Sequence, residues 1–229
     1  MRYIASDLHG EAELFLRLLD SIRFSDTDEL LICGDILDKG PESIRLARLV
    51  FSQPNIRCIA GNHEHRFLKH YHSILGRSPK DFDAVLEELR ADFPTDGHLL
   101  DWETVDALEA LPYYIEEPDL LCVHAGVPLD ATGHPLPVRN ATPEQLVNDR
   151  RFQEPTVLPV TGPCVFFGHT PTGYLYGKNE ILAYPRPGRT AITHFTDYCK
   201  VHLDVGTWLG GKMGCFCTDT CLVHSVEKA

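Results

Sequence analysis

Short apolar runs, each stopped by Asp, His, Asn or Gly, set the rhythm of this chain. Residues 2–6, 29–33, 56–60, 120–123 and 164–167 are rich in β-favouring apolar residues, and each ends at or just before a potential metal ligand. Between the first three runs the period changes. In 11–23, Phe15, Leu18, Leu19 and Ile22 follow the i, i+3, i+4, i+7 spacing of one helix face. In 42–51, Ile44, Ala47 and Phe51 mark another, with Pro41 just ahead as a helix-start signal. The order β-α-β-α-β predicts parallel strands buried on both faces. Residues 64–110 read as mostly helical, broken near 76–79 and 94–97, and predict a helical cap inserted over the strand ends. After residue 174 the pattern turns to short strands. Residues 181–184 and 190–194 read as a hairpin, with 201–203, 213–217 and 222–226 as further strands and Gly206, Gly210 and Gly211 at turns. The last quarter is therefore expected to be antiparallel.

Length and composition bound this picture. The 229 residues are 43% apolar, enough to bury a full core as one domain, and no linker interrupts residues 7–170. A net charge of -12 argues against a nucleic-acid backbone as partner, because that contact needs clustered Lys and Arg. No long apolar leader precedes the first run, and none approaches the roughly 20 residues that span a bilayer, so a cytoplasmic protein is expected. Cys33, Cys58, Cys122 and Cys164 lie in apolar runs and read as buried thiols, with no structural disulfides expected in that compartment. Cys215, Cys217 and Cys221 are close in sequence but lack a Cys-x-x-Cys pair, which disfavours a zinc site.

The chemistry sits where the apolar runs stop. The five clusters are Asp7-Leu8-His9-Gly10, the segment from Gly34 to Gly40, Gly61-Asn62-His63-Glu64, His124-Ala125-Gly126 and Gly168-His169-Thr170. Taken singly, each fits an ordinary turn. If the strand stays extended, Asp7 and His9, two apart, point to one side and can reach one ion. Asp35 has two carboxylate oxygens and could bridge two ions. Asn62 adds an amide oxygen, and His63 is a candidate acid or anion-stabilising group. His124 and His169 each close an apolar run, and loops at strand ends carry sites. The 28 residues from Asp7 to Asp35 and 27 from Asp35 to Asn62 fit two successive βα units. His65, His70 and His72 read as a solvated helix face.

In order, these clusters read SDLHG, GDILDKG, GNHE, HAG and GHT, and Asp204-Val205-Gly206 precedes Gly210-Gly211-Lys212. The series resembles the PPP-type branch of the calcineurin-like metallophosphoesterases over nearly the whole chain. The resemblance implies an α/β fold, a four-layer αββα sandwich with a dinuclear metal site at strand ends. Asp7, His9 and a bridging Asp35 would hold one divalent ion, and Asp35, Asn62, His124 and His169 the other. Mn²⁺ is the expected metal, with Fe or Zn²⁺ as alternatives for such donors. His63, oriented by Asp38, would protonate the leaving oxygen. Arg150 matches a phosphate-clamping Arg of bacterial and phage members, although the Trp usually before it is missing; Arg151 is the fallback. Lys39 stands where the family has Arg. A compact ammonium replaces a planar fork, so weaker ground-state phosphate binding is expected.

The leading expectation is a small bacterial or phage serine/threonine protein phosphatase, extending to phosphotyrosine. The alternative is a symmetrical dinucleoside-tetraphosphate hydrolase, whose branch shares the Gly40-Pro41-Glu42-Ser43 continuation and HAG. Asp38 and GNHE lean towards the phosphatase. A catalytically inactive phosphopeptide-binding module is disfavoured, because all six ligands and His63 are present.

Overall fold

A computed structural model describes residues 1–75, 102–159 and 161–228. Their strands form two five-stranded sheets. In the first, β1 (Arg2–Ala5), β2 (Glu29–Ile32) and β3 (Ile56–Cys58) run parallel, with Tyr3 opposite Leu30 and Leu30 opposite Ile56. In the second, β5 (Leu120–Val123), β6 (Cys164–Phe167) and β8 (Tyr198–His202) run parallel, flanked by antiparallel β4 (Tyr114–Glu116) and β7 (Leu182–Pro185). The first sheet is completed by β9 (Lys212–Cys217) against the free side of β1, then β10 (Val223–Glu227).

Alternation along each strand builds the layers. Ile4 and Leu31 face inward and meet Cys122, Phe166 and Val201 of the second sheet. Their neighbours Tyr3, Ala5, Leu30 and Ile32 face outward, onto Phe15 and Leu18 of α1 (Ala12–Ser21) and Leu46 and Val50 of α2 (Ser43–Phe51). On the far side, Val165 and Phe167 pack with Leu146 and Phe152. Both faces of each central strand are covered, which is why those strands read as unbroken apolar runs. The result is the αββα sandwich that the motif resemblance implies.

The antiparallel expectation for the last quarter holds in β7 with β8 and in β9 with β10, while the other edge of β8 runs parallel to β6. One expectation fails: residues 181–184 do not pair with 190–194, since β7 pairs with β8. The reason is local. Asp197 Oδ2 accepts the backbone N–H of Thr193 at 2.9 Å and of His194 at 3.1 Å, donors that a strand there would need. Of the stretch 64–110 expected to be helical, the described residues form α3 (Asn62–Leu75) and α4 (Trp102–Glu109), and residues 76–101 lie outside them. The breaks expected near 76–79 and 94–97 lie outside the described residues. The eight cysteines are free thiols; Cys215 and Cys217 line the core beneath α1. Among the described residues no helix is long and apolar enough to cross a membrane.

Candidate metal centre

The loops that leave β1 and β2 run side by side. Backbone N–H groups of Asp7, His9 and Gly10 donate to the carbonyls of Gly34, Asp35 and Ile36 at 3.1, 2.9 and 2.8 Å. This zipper, not an extended strand, brings Asp7 and His9 together. β1 stops at Ala5, and Asp7 and His9 adopt left-handed φ of 55° and 46°. Asp35, Asp38, Lys39 and His169 share that region, at 56°, 69°, 70° and 77°. Such backbone is costly for non-glycine residues and persists only where surrounding contacts over-determine it.

Asp35 lies at the middle. Its Oδ2 is 3.4 Å from His124 Nε2, and 3.8 Å from both His9 Nε2 and His63 Nε2. Two groups suited to a metal ion share it: His9, Asp35 and His63, and Asp7, Asp35 and His124. Asn62 Oδ1 extends the second, 3.0 Å from His124 Nε2 and 2.9 Å from His169 Nδ1. The predicted ligands of both sheets thus converge in one cluster, with Asp7, His9, Asp35 and His124 buried and Asn62 and His169 partly exposed. Gly61 and Gly168 make room: a Cβ on either would collide with the Asp35 or Asp7 carboxylate, respectively.

The donors are aimed. Nδ1–H of His9 donates to the Leu37 carbonyl at 3.2 Å and that of His124 to the Cys33 carbonyl at 2.8 Å. Each bond turns Nε2 to the cluster, as second-sphere bonds do for metal-binding imidazoles. Asp7 accepts the N–H of His169 at 3.0 Å and the Ser6 hydroxyl at 2.5 Å, so Ser6 braces a carboxylate. Glu64 is wholly buried, and its two oxygens accept N–H bonds from Asp35, Ile36, Leu37 and Gly61 at 2.8 to 3.0 Å. It is the staple between two ligand loops. Sequence reasoning passed it over, although its place in GNHE was a signal.

Charge states follow from these contacts. Burial, opposed by the Asp35 charge, lowers His9 to about 4, and burial with nearby His124 lowers His169 to about 3, so both are neutral donors. Burial and Asp35 push Asp7 up to about 7. Burial also disfavours charge on His124, but Asp35 and Asp7 together hold its proton to about 10. A field that retains a proton so firmly also favours a cation in its place. Carboxylate, imidazole and amide donors without thiolate fit hard to borderline divalent ions.

Around this cluster stand the other predicted residues. His63 Nδ1 lies 2.7 Å from Asp38 Oδ2. Arg66, one turn along α3 from His63, donates to the same oxygen at 2.5 Å. Its i, i+3 relation to His63 was the available signal, and it was not used. Lys39 directs Nζ over the Trp208 ring, 5.2 Å from its centroid. Arg150 is exposed and close enough to His169 to contribute to its lowered pKa. Arg151, the fallback, is tied to Asp149 at 2.6 Å and to the Leu129 carbonyl at 2.8 Å.

Known proteins place this geometry in context. The chain is 31% identical over 154 residues to a symmetrical bis(5'-nucleosyl)-tetraphosphatase of Pseudomonas putida, covering 66% of the chain and 51% of the relative. It is 34% identical over 129 residues to the enzyme of the same name from Salmonella paratyphi C, covering 55% and 43%. The match thus spans about half the length of these curated relatives. A solved structure provisionally described as a diadenosine tetraphosphatase superposes with a TM-score of 0.69 at 18% identity, covering 100% of this chain and 93% of that one. A cold-active protein-tyrosine phosphatase of a Shewanella species superposes with a TM-score of 0.58 at 13% identity, covering 99% and 80%. At such identities the likeness concerns the fold alone. The family model for calcineurin-like phosphoesterases matches residues 3–202, and the chain belongs to that family.

Proposed function

We propose that this chain hydrolyses dinucleoside tetraphosphates symmetrically, and that Asp7, His9, Asp35, Asn62, His124 and His169 hold the two divalent ions it uses. The observation that carries the metal chemistry is Asp35, shared by both ligand groups. The substrate reading rests on the curated relatives, both named as symmetrical tetraphosphatases. It reverses the order of preference drawn from the motifs, in which protein phosphatase came first. When bound, the two cations lower the pKa of a water and neutralise phosphoryl charge. The chain's own residues orient and discriminate. Arg150 and Lys39 bind phosphoryl oxygens, and His63, held by Asp38, gives a proton to the leaving oxygen. We take Mn²⁺ as the first metal to test, and residues 64–110 as the cap of a single catalytic domain.

One observation favours the second reading, a phosphoserine or phosphothreonine phosphatase. A nucleoside diphosphate departs readily as an anion, whereas a serine alkoxide needs protonation. The intact His63–Asp38 pair is the equipment for that harder departure. The deciding experiment gives Mn²⁺-supplemented protein diadenosine tetraphosphate and a phosphoserine peptide. Two molecules of ADP per substrate, made faster than phosphate from the peptide, are expected. ATP plus AMP, or hydrolysis of the peptide alone, would refute the symmetrical reading. Full activity in Asp35→Asn would refute the shared-ligand centre.

A further inference from the structure

Trp208 is an exposed aromatic that the phosphoryl chemistry leaves unused. It stands in a short helix, Thr207–Gly210, that follows buried Asp204. Asp204 Oδ1 accepts the N–H of Gly206 at 2.8 Å, and its carbonyl accepts the N–H of Thr172 at 2.9 Å. The helix is thereby tied to the segment just after His169. Trp208 keeps 39% of its surface exposed, beneath the Lys39 ammonium. Lys39 directly follows Asp38, whose carboxylate holds His63. An aromatic face and a flexible cation therefore stand together, the cation next in the chain to the Asp38–His63 pair to which the proposed function assigns the leaving oxygen. Leu209, beside Trp208, and Tyr174 and Leu175, on the short helix Thr172–Tyr176, add exposed apolar surface.

A flat ring beside an ammonium, next to a phosphoryl-transfer centre, is the donor set for a nucleotide. The ring offers its face to a base and the ammonium offers its charge to phosphate. The present Lys39–Trp208 contact does not block this use. An exposed cation–π contact is weak, and base stacking on Trp is at least as favourable, so exchange of one for the other carries little penalty. We infer that Trp208 and Lys39 form the subsite for the leaving nucleoside diphosphate. The purine stacks on the indole while the ammonium turns from the ring to the diphosphate. The inference rests on the dinucleoside-tetraphosphate reading. In that reaction water adds its oxygen to one inner phosphorus and the bond from that phosphorus to the central bridging oxygen breaks. The bridging oxygen departs with the second half, giving two nucleoside diphosphates.

The chain has two tryptophans, Trp102 and Trp208, so a Trp102→Phe background reports on Trp208 alone. With Mn²⁺ present, ADP is expected to quench its fluorescence saturably and inorganic phosphate is not. No response to ADP overturns the subsite, whichever substrate the enzyme prefers. In steady state, Trp208→Leu is expected to lower kcat/KM for diadenosine tetraphosphate about tenfold more than for p-nitrophenyl phosphate, mainly through KM. Trp208→Phe is expected to recover most of the loss. Equal losses on both substrates overturn the subsite. Quenching by ADP in an enzyme that leaves diadenosine tetraphosphate intact upholds the nucleotide subsite and overturns only the substrate reading.

Discussion

His63 and Asp38 form a 2.7 Å contact through Nδ1 and Oδ2 at the edge of the metal-ligand cluster. Burial lowers the pKa of His63, and the Asp38 bond with the Asp35 charge more than offsets it, so the ring is held protonated above its ordinary value. If His63 is the leaving-group acid, His63→Asn lowers kcat by about 10²- to 10⁴-fold on a substrate with an alkoxide leaving group, and less on one with a good leaving group. Because the protonated form is the acid, kcat falls as pH rises through the His63 pKa. Asp38→Asn moves that limb to lower pH. A loss of equal size across a leaving-group series would show that His63 acts otherwise.

Glu64 receives four backbone N–H bonds from two ligand loops. In Glu64→Gln an amide NH₂ must face N–H donors in place of a carboxylate oxygen. The mismatch costs about 2–3 kcal/mol, judged from charge-assisted hydrogen bonds. A lower unfolding midpoint and fewer than two Mn²⁺ bound per chain are expected by denaturation and metal analysis. Full metal occupancy in the variant would show that the loops hold without the staple.

Lys39 offers a point charge where an arginine would offer two parallel donors. Lys39→Arg is expected to tighten inhibition by inorganic phosphate and lower KM severalfold, in line with the added bidentate bond. Inhibition constants unchanged from wild type would mean that residue 39 does not meet phosphate in the ground state.

Lys200 is fully buried, and its Nζ donates to the carbonyls of Phe152 at 2.8 Å and Glu154 at 2.7 Å. Burial lowers its pKa from 10.5 to about 8. Between those values the unfolded chain binds the extra proton, so this residue contributes more stability as pH rises through that window. The neutral amine keeps hydrogens for both carbonyls. Lys200→Met leaves the carbonyls unpaired, at about 1–3 kcal/mol each. The stability gap between wild type and variant is expected to widen from about pH 8 upward in urea titrations. A gap that stays constant with pH would mean that the buried charge carries no penalty. The same carbonyls follow Arg150 in the chain, so KM for phosphoryl substrates is expected to rise in the variant.

The strands that lead into the candidate ligands were legible because they are buried on both faces. Ile4 and Leu31 point to one layer and Tyr3 and Ile32 to another, which leaves the unbroken apolar signature. The candidate ligand residues stood out because each follows such a run. Partner choice was less so. Residues 190–194 have a strand-like composition, but Asp197 captures their N–H groups, a contact that periodicity does not encode. Arg66 and Trp208 escaped for a related reason. Arg66 matters because of Asp38 on another loop, and Trp208 because of Lys39, far away in sequence. The convergence of Asp7 and His9 was anticipated on the wrong ground, since left-handed loop backbone brings them together.

β1 precedes the other described strands in sequence, yet it lies between β2 and β9, and β9 spans Lys212–Cys217. The loop of Asp7 and His9 is made well before the rest of the site. It then waits through synthesis of His124, of His169 and of the strand that closes its own sheet. Contacts so distant along the chain form late. A cation that met the nascent segment would find two side chains on an open edge. On the proposed metal chemistry, loading needs the chain through β9, and a translation product truncated before His124 would carry the first motif without the centre.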